Sequence, residues 1–333
     1  MPVDATLPLP APLLSLLLLR NQAKAANCPN KTASGKKKLT NIMPISLTER
    51  DLEILNAINN ARYMTTPQIQ ALFWRSSRGG KYGNLKACQR RLNQLTQHGL
   101  IRHIKQPVRR GQGSLPYIYA LDRSGAQILS SEIGVDPSEL DWRPKNAEEN
   151  YPFMQHLLDT NDFQIALTLA CEGRDASLVS WTDEKELKKE EAYDHVFLTG
   201  PSGGTQKVAV IPDASFVIGI GDRQGRFCLE IDRGTVTVSP TAWQQRGWTQ
   251  KIRAYLEYYQ SGAYEQRFQT RSFRVLTVTT SEERLRNMRK ATEEAGGDAR
   301  FWFTTFEQVK ADTILTEPVW YRVGSEDTYS LLG

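Results

Sequence analysis

Between Glu53 and Asp122 the chain has no aspartate or glutamate, yet the same stretch carries eleven lysines and arginines. Ordinary solvated faces mix both signs, so a segment this one-sided points to a polyanion as its partner. Cysteine is scarce as well. The four present, Cys28, Cys88, Cys171 and Cys228, stand far apart with no close pair, so neither a disulfide framework nor a structural zinc site can be read from them, and a reducing cytoplasm is the simplest expectation. Long apolar runs are missing too. The longest, Leu13 to Leu19 broken by Ser15, falls short of the roughly 20 residues needed to cross a bilayer. Met1 to Leu19 also has no Lys or Arg, so it lacks the basic n-region of a signal peptide. Residues 1–44, rich in Pro, Ala, Ser and Lys, therefore read as a disordered leader, with Met43 a second candidate start.

What is present is polarised. The 333 residues hold 42 Lys+Arg and 37 Asp+Glu, a formal charge of +5. Residues 1–145 contain 21 basic and 9 acidic side chains (+12), and residues 146–333 contain 21 and 28 (−7). A basic first half and an acidic second half imply two domains with different tasks.

In the first half, Ser46 with Glu49 offers a capping box, and Leu52, Leu55 and Ile58 follow at helical spacing up to Asn59-Asn60. Thr65-Thr66-Pro67 opens a second short helix, and Gly79-Gly80 reads as a turn. A third helix, 84–98, places Leu85, Cys88, Leu92 and Leu95 on one stripe. Lys86, Gln89, Arg90, Arg91 and Asn93 lie off that stripe, side chains suited to base edges and phosphates in a major groove. Period-two patterning at 100–108 and 117–121 flanks a basic turn. Three helices and such a hairpin predict a winged helix over 45–134, with Arg102, Lys105, Arg109 and Arg110 on or near the wing, and double-stranded DNA as partner. His98 and His103 have no neighbouring Cys or carboxylate and read as a cap-proximal and a strand histidine. A fourth helix ends at Gly134, and 135–150, with Pro137 and Pro144, reads as a linker.

From 151 the pattern predicts a helix, three strands (207–211, 214–220, 226–231), a helix, a strand, a helix and a strand: an α+β or α/β domain with a mixed sheet flanked by helices. The run 183–194 reads as a solvated charged segment. Strand alternation sets Glu230 and Asp232 on one face. With Asp213 from a neighbouring strand they form a candidate ligand set for a hard divalent cation, Mg2+ or Mn2+, able to activate water against a phosphodiester. On spacing alone, a surface pair of acids is an equal alternative.

The order Pro212-Asp213, then Glu230-x-Asp232, resembles the core of the PD-(D/E)XK nuclease superfamily, in which two acids bind magnesium and a lysine assists the attacking water. Asp232 stands where that pattern has lysine. Lys251, in Lys251-x-x-x-Tyr255, resembles the Gln-x-x-x-Tyr element of one branch of the superfamily and is the candidate replacement. A wider match combines Leu47-Thr48-Glu49-Arg50-Asp51-x-x-Ile54-Leu55, His156-x-Leu158-x-x-Asn161-Asp162, Pro212-Asp213-Ala214, Glu230-Ile231-Asp232-Arg233-Gly234-Thr235 and Lys251-x-x-x-Tyr255. It resembles the replication-relaxation family of plasmids and other mobile elements. That resemblance implies a winged-helix domain joined to a nuclease-like domain (151–333) and a role in plasmid replication and DNA relaxation. The implied catalytic set is Asp213, Glu230, Asp232, Lys251 and His156. Replication or mobilisation proteins of the same element, or a second copy of the chain, are further expected partners. The alternative is a non-catalytic repressor or replication adaptor whose nuclease-like domain serves dimerisation or docking.

Overall fold

A computed structural model of the chain describes residues 45–74, 80–106, 114–136, 140, 142, 151–189, 193–239 and 247–332. Contacts divide these residues into two units that meet between Asn161 and Asp162.

In the first unit, α1 (Glu49–Ala61) is capped by Thr48, not Ser46. Thr48 is extended and exchanges bonds with Asp51: the Asp51 N–H donates to Thr48 Oγ1, and the Thr48 N–H donates to Asp51 Oδ2 at 2.7 Å. This capping box satisfies two otherwise orphaned donors. The helix runs through Asn59-Asn60 and stops where Arg62 takes a positive φ of 60°. A two-residue strand, β1 (Met64–Thr65), leads into α2 (Thr66–Phe73), which Thr65 caps through a second box with Gln68. The third helix, α3 (Gly80–Gln97), starts earlier than expected, with Gly80 inside it. Antiparallel β2 (Ile101–Ile104) and β3 (Ile118–Leu121) follow, and β1 pairs with β3 to complete a three-stranded sheet in the order β1-β3-β2. The expected basic turn, including Arg109 and Arg110, lies outside the described residues. The fourth helix, α4 (Arg123–Ile133), ends on Gly134 in the left-handed region. Gly125 lets it seat: a Cβ there would come within 2.1 Å of the Leu100 carbonyl oxygen.

The next helix, α5 (Tyr151–Cys171), serves both units. Its residues up to 161 belong with the first, so the contact boundary falls inside this helix and not at its start. Met154 and Leu158 are buried with Tyr63, Ile104, Ile118 and Ala120. Asn161 Nδ2 donates to the carbonyls of Ala61 (3.2 Å) and Tyr63 (2.8 Å), and Gln68 Nε2 donates to the Leu158 carbonyl at 2.9 Å.

The second unit is a mixed seven-stranded sheet. Its strands are β4 (Ser177–Asp183), β7 (Ala214–Ile220), β8 (Arg223–Ile231), β9 (Arg274–Thr279), β10 (Phe301–Thr305), β11 (Trp320–Arg322) and β12 (Thr328–Tyr329), in the order β12-β11-β10-β9-β8-β7-β4. The central trio β8, β9 and β10 is parallel, and the remaining pairs are antiparallel. Parallel neighbours need crossovers: α7 (Trp248–Gln260) and α8 (Ala263–Phe268) join β8 to β9, and α9 (Glu282–Glu294) joins β9 to β10. One sheet face packs its Cys228, Val275, Phe301 and Phe303 against Trp248, Ile252 and Tyr255 of α7 and Leu285 and Met288 of α9. The other face sets Phe216 and Trp181 against Phe163 of α5. The charged run 183–194 resolves into a short helix, α6 (Glu184–Lys189), and the start of β5 (Asp194–Thr199). One of the three expected consecutive strands, β6 (Thr205–Val210), pairs with β5 in a separate hairpin and not with the main sheet. The sequence pattern misses β4, β5, β11 and β12, which are short or half-exposed.

Candidate functional site

The site grows out of the β7–β8 pair. Asp213 directly precedes β7 and grips the backbone of β8 on both sides of residue 230. Its N–H donates to the Leu229 carbonyl at 2.9 Å, and its Oδ2 accepts the Ile231 N–H at 2.6 Å. Glu230 is thereby fixed beside Asp213 on a central strand, only 2% exposed. From α7, Lys251 and Tyr255, one turn apart and so on one helix face, reach the same carboxylate. Lys251 Nζ pairs with Oε2, and the Tyr255 hydroxyl donates to Oε1 at 2.6 Å. Lys251 keeps 40% of its side chain exposed, so the group is open on the lysine side.

Burial pushes the Glu230 carboxyl up to about 7, against the pull of Lys251 and with the negative charge of Asp213 adding to the rise. Lys251 is raised against the pull of its partial burial, by Glu230 first and then by Asp213 and Glu184. It therefore stays an ammonium at neutral pH. Burial and Glu230 raise the Tyr255 phenol well above its ordinary value, so it remains a donor. Two further residues belong here that periodicity does not single out. The Glu184 N–H donates to the Asp213 carbonyl at 3.0 Å. Thr277, the register partner of Glu230, buries a hydroxyl that finds no hydrogen-bond partner among the described residues.

Asp232 does not join this group. Alternation sets it on the same sheet face as Glu230, but Glu230 turns to α7 and Asp232 turns to α9. Arg284 there donates to it twice, Nε at 2.9 Å and Nη2 at 3.0 Å, and Thr279 Oγ1 donates at 2.7 Å. The expected trio of acids is thus a pair, Asp213 and Glu230, and among the described residues no three His, Cys, Asp or Glu side chains are grouped to hold a metal. His156 lies on the part of α5 that belongs to the first unit and is half-buried. The two acids that do come together, Asp213 and Glu230, offer hard carboxylate oxygens, the donor type that a divalent cation takes.

In the first unit, α3 buries Cys88, Leu92 and Leu95 and exposes Lys86, Gln89, Arg90 and Asn93. Arg91, expected on the same outward face, is committed elsewhere. Its Nε donates to Asp51 Oδ1 at 2.7 Å, and its Nη2 binds Asp51 Oδ2 and the Ser46 carbonyl. Arg102, on β2, is exposed and stands 3.8 Å from Asp122, and Lys105 is exposed just beyond β2. A cavity of about 720 Å³ opens between α3 and the β2–β3 hairpin, lined among others by Gln89, Asn93, Lys105 and the paired rings of His103 and Tyr117, 4.8 Å between centroids.

A family model described as replication-relaxation matches residues 55–271, about two thirds of the chain. The protein belongs to the replication-relaxation family. The match takes in α3, Asp213, Glu230, Lys251 and Tyr255, so both regions described above lie within what this replication-relaxation protein shares with its family. No curated protein matches the chain. Among solved structures it is similar to the restriction endonuclease FokI, at 11% identity and a TM-score of 0.25, covering 78% of this chain and 42% of that one. It is also similar to FokI bound to DNA, at 10% and 0.23, covering 80% and 45%. The chain spans less than half the length of either. Among the described residues no helix is long and apolar enough to cross a membrane.

Proposed function

We propose that this replication-relaxation protein binds double-stranded DNA of a plasmid or other mobile element through its first unit and cuts a strand with its second. Three helices followed by an antiparallel hairpin support reading the first unit as a winged helix, with Lys86, Gln89, Arg90 and Asn93 of α3 facing the major groove. Arg102 and Lys105, both exposed, add phosphate contacts on the hairpin side. Arg91 drops out of this surface, because Asp51 holds it.

The observation that carries the cutting reading is the convergence of Asp213, Glu230 and Lys251 on one end of the β7–β8 pair. It supports a PD-(D/E)XK-like centre whose lysine has moved from position 232 to α7. Asp213 and Glu230 would hold the cation, which when bound polarises a phosphodiester oxygen and lowers the pKa of water. Tyr255 orients Glu230, the Ile231 N–H orients Asp213, and the Lys251 ammonium donates to a phosphate oxygen or to the attacking water. Glu230 must be ionised to hold the cation.

One observation favours a second reading. Both oxygens of Glu230 are engaged by Lys251 and Tyr255, and Asp232 is neutralised by Arg284, as in a domain that uses its core for docking to replication proteins or to a second copy. Supercoiled plasmid incubated with Mg2+, Mn2+ or EDTA separates the two. Metal-dependent nicking lost in both Asp213→Ala and Lys251→Ala establishes the hydrolytic centre. DNA binding without scission in any metal leaves the docking reading.

A further inference from the structure

On the sheet face opposite Glu230, two arginines stand close together with no acid among the described residues to match them. Register aligns the residues concerned: Phe227 pairs with Arg274, Leu276 with Trp302, and Trp302 with Arg322, so all share one face across β8 to β11. The Arg274 guanidinium lies 4.7 Å from the Trp302 ring centroid and 5.9 Å from that of Phe227. The Arg322 guanidinium lies 4.1 Å from the Tyr329 ring, and its Nη2 donates to the Tyr329 hydroxyl at 2.8 Å. That hydroxyl also shares a hydrogen bond with Ser325 Oγ at 2.9 Å. Neither arginine forms an ion pair among the described residues, and Arg322 Nε is buried without a partner.

An arrangement of this kind is costly unless something completes it. A buried N–H of a charged group left unmade forfeits its desolvation cost, and two guanidinia in reach of one another repel. The repulsion is felt: burial and the charge of Arg322 both lower the pKa of Arg274, and no carboxylate opposes them. Elsewhere in this unit arginines of similar burial have found acids, as Arg284 has Asp232 and Arg289 has Glu326.

We infer that Arg274 and Arg322, walled by Trp302 and Tyr329, form a binding site for a phosphate monoester dianion. Guanidinium groups offer planar forks that match phosphate oxygens, and both residues remain partly exposed, so an anion can reach them. Charge selects the class. Two unmatched positive charges are balanced by a monoester, which carries about −1.5 to −2 near neutral pH, whereas a carboxylate or an internal phosphodiester leaves one charge over. The group can arrive as the 5′-phosphate of a strand end or as free phosphate or a mononucleotide. The inference stands independently of the cleavage reading, since it uses none of the residues near Glu230.

The test uses the full-length protein, with Arg274→Gln, Arg322→Gln and the control Arg286→Gln on α9. Unfolding temperature is read in inorganic phosphate against chloride at equal ionic strength. Binding of a 5′-phosphorylated oligonucleotide is then compared with the same strand ending in a hydroxyl. Phosphate should stabilise the wild type and the control but neither site variant. A strand-end ligand should also bind about tenfold tighter with its 5′-phosphate, the advantage vanishing in both variants. Equal binding of the two oligonucleotides together with phosphate-specific stabilisation assigns the free anion. Phosphate acting alike on wild type and both site variants, or no phosphate effect and no oligonucleotide preference, overturns the site.

Discussion

Glu230 is the residue where charge and burial conflict most. A carboxyl raised from 4.5 to about 7 by burial contributes its stabilising protonated form fully below about 4.5, and loses it as pH rises through about 7. Glu230→Gln keeps a carbonyl oxygen for the Tyr255 hydroxyl and never ionises. The variant should therefore gain on the wild type as pH goes from 5 to 8, by up to about 3 kcal/mol. Thermal unfolding of both proteins at several pH values measures the difference, and a gap independent of pH contradicts the burial argument. At this scale the sequence carries much of the site: Asp213, Glu230 and Lys251 are brought together by the residues that precede β7, end β8 and begin α7. Asp232 was legible as to face but not as to neighbour. Alternation fixes which side of a sheet a side chain leaves from, whereas the helix it meets there depends on crossovers that no local spacing encodes.

Among the elements, α1 and α3 are joined by the ion pair of Asp51 with Arg91. Asp51, 1% exposed, is pulled up by burial, and the bonds from Arg91 and Thr48 outweigh that pull and leave it below its ordinary value. The stability it contributes is present above the usual carboxylate range and is lost as pH falls through the lowered value. Arg91→Ala strands the buried carboxylate and should cost about 3 kcal/mol, moderated by the partial exposure of the arginine, with a visible fall in unfolding temperature. Arg90→Ala, one residue away but exposed, should leave stability unchanged. Equal effects of the two would remove the structural assignment of Arg91. The apolar stripe of α3 is readable because Cys88, Leu92 and Leu95 recur at helical spacing. The role of Arg91 is not, because its partner lies forty positions earlier. Caps show the same limit: Ser46 and Thr48 are equally plausible by composition, and Thr48 wins because Asp51 can return its hydrogen bond while the Ser46 carbonyl is taken by Arg91.

Over the whole molecule, charge divides almost as the units do, +12 before residue 146 and −7 after it. A polyanion is therefore drawn to one unit and repelled by most of the other, which orients encounter before any specific contact forms. Each phosphate neutralised by a lysine or arginine adds about 0.9 to the slope of log affinity against log salt. If the exposed cations of α3 make such contacts, the double variant Lys86→Ala/Arg90→Ala should bind duplex DNA more weakly at low salt and lower that slope by about 2. Gln89→Ala and Asn93→Ala should instead leave the slope in place and reduce the preference for one sequence over another, since these amides carry no charge and can pair with base edges. Titrations of one duplex at several salt concentrations, repeated with a scrambled duplex, separate the two effects. A slope unchanged in the double variant would move the proposed DNA surface off α3 and onto the hairpin side, where Arg102 and Lys105 are the exposed cations among the described residues of β2 and its end.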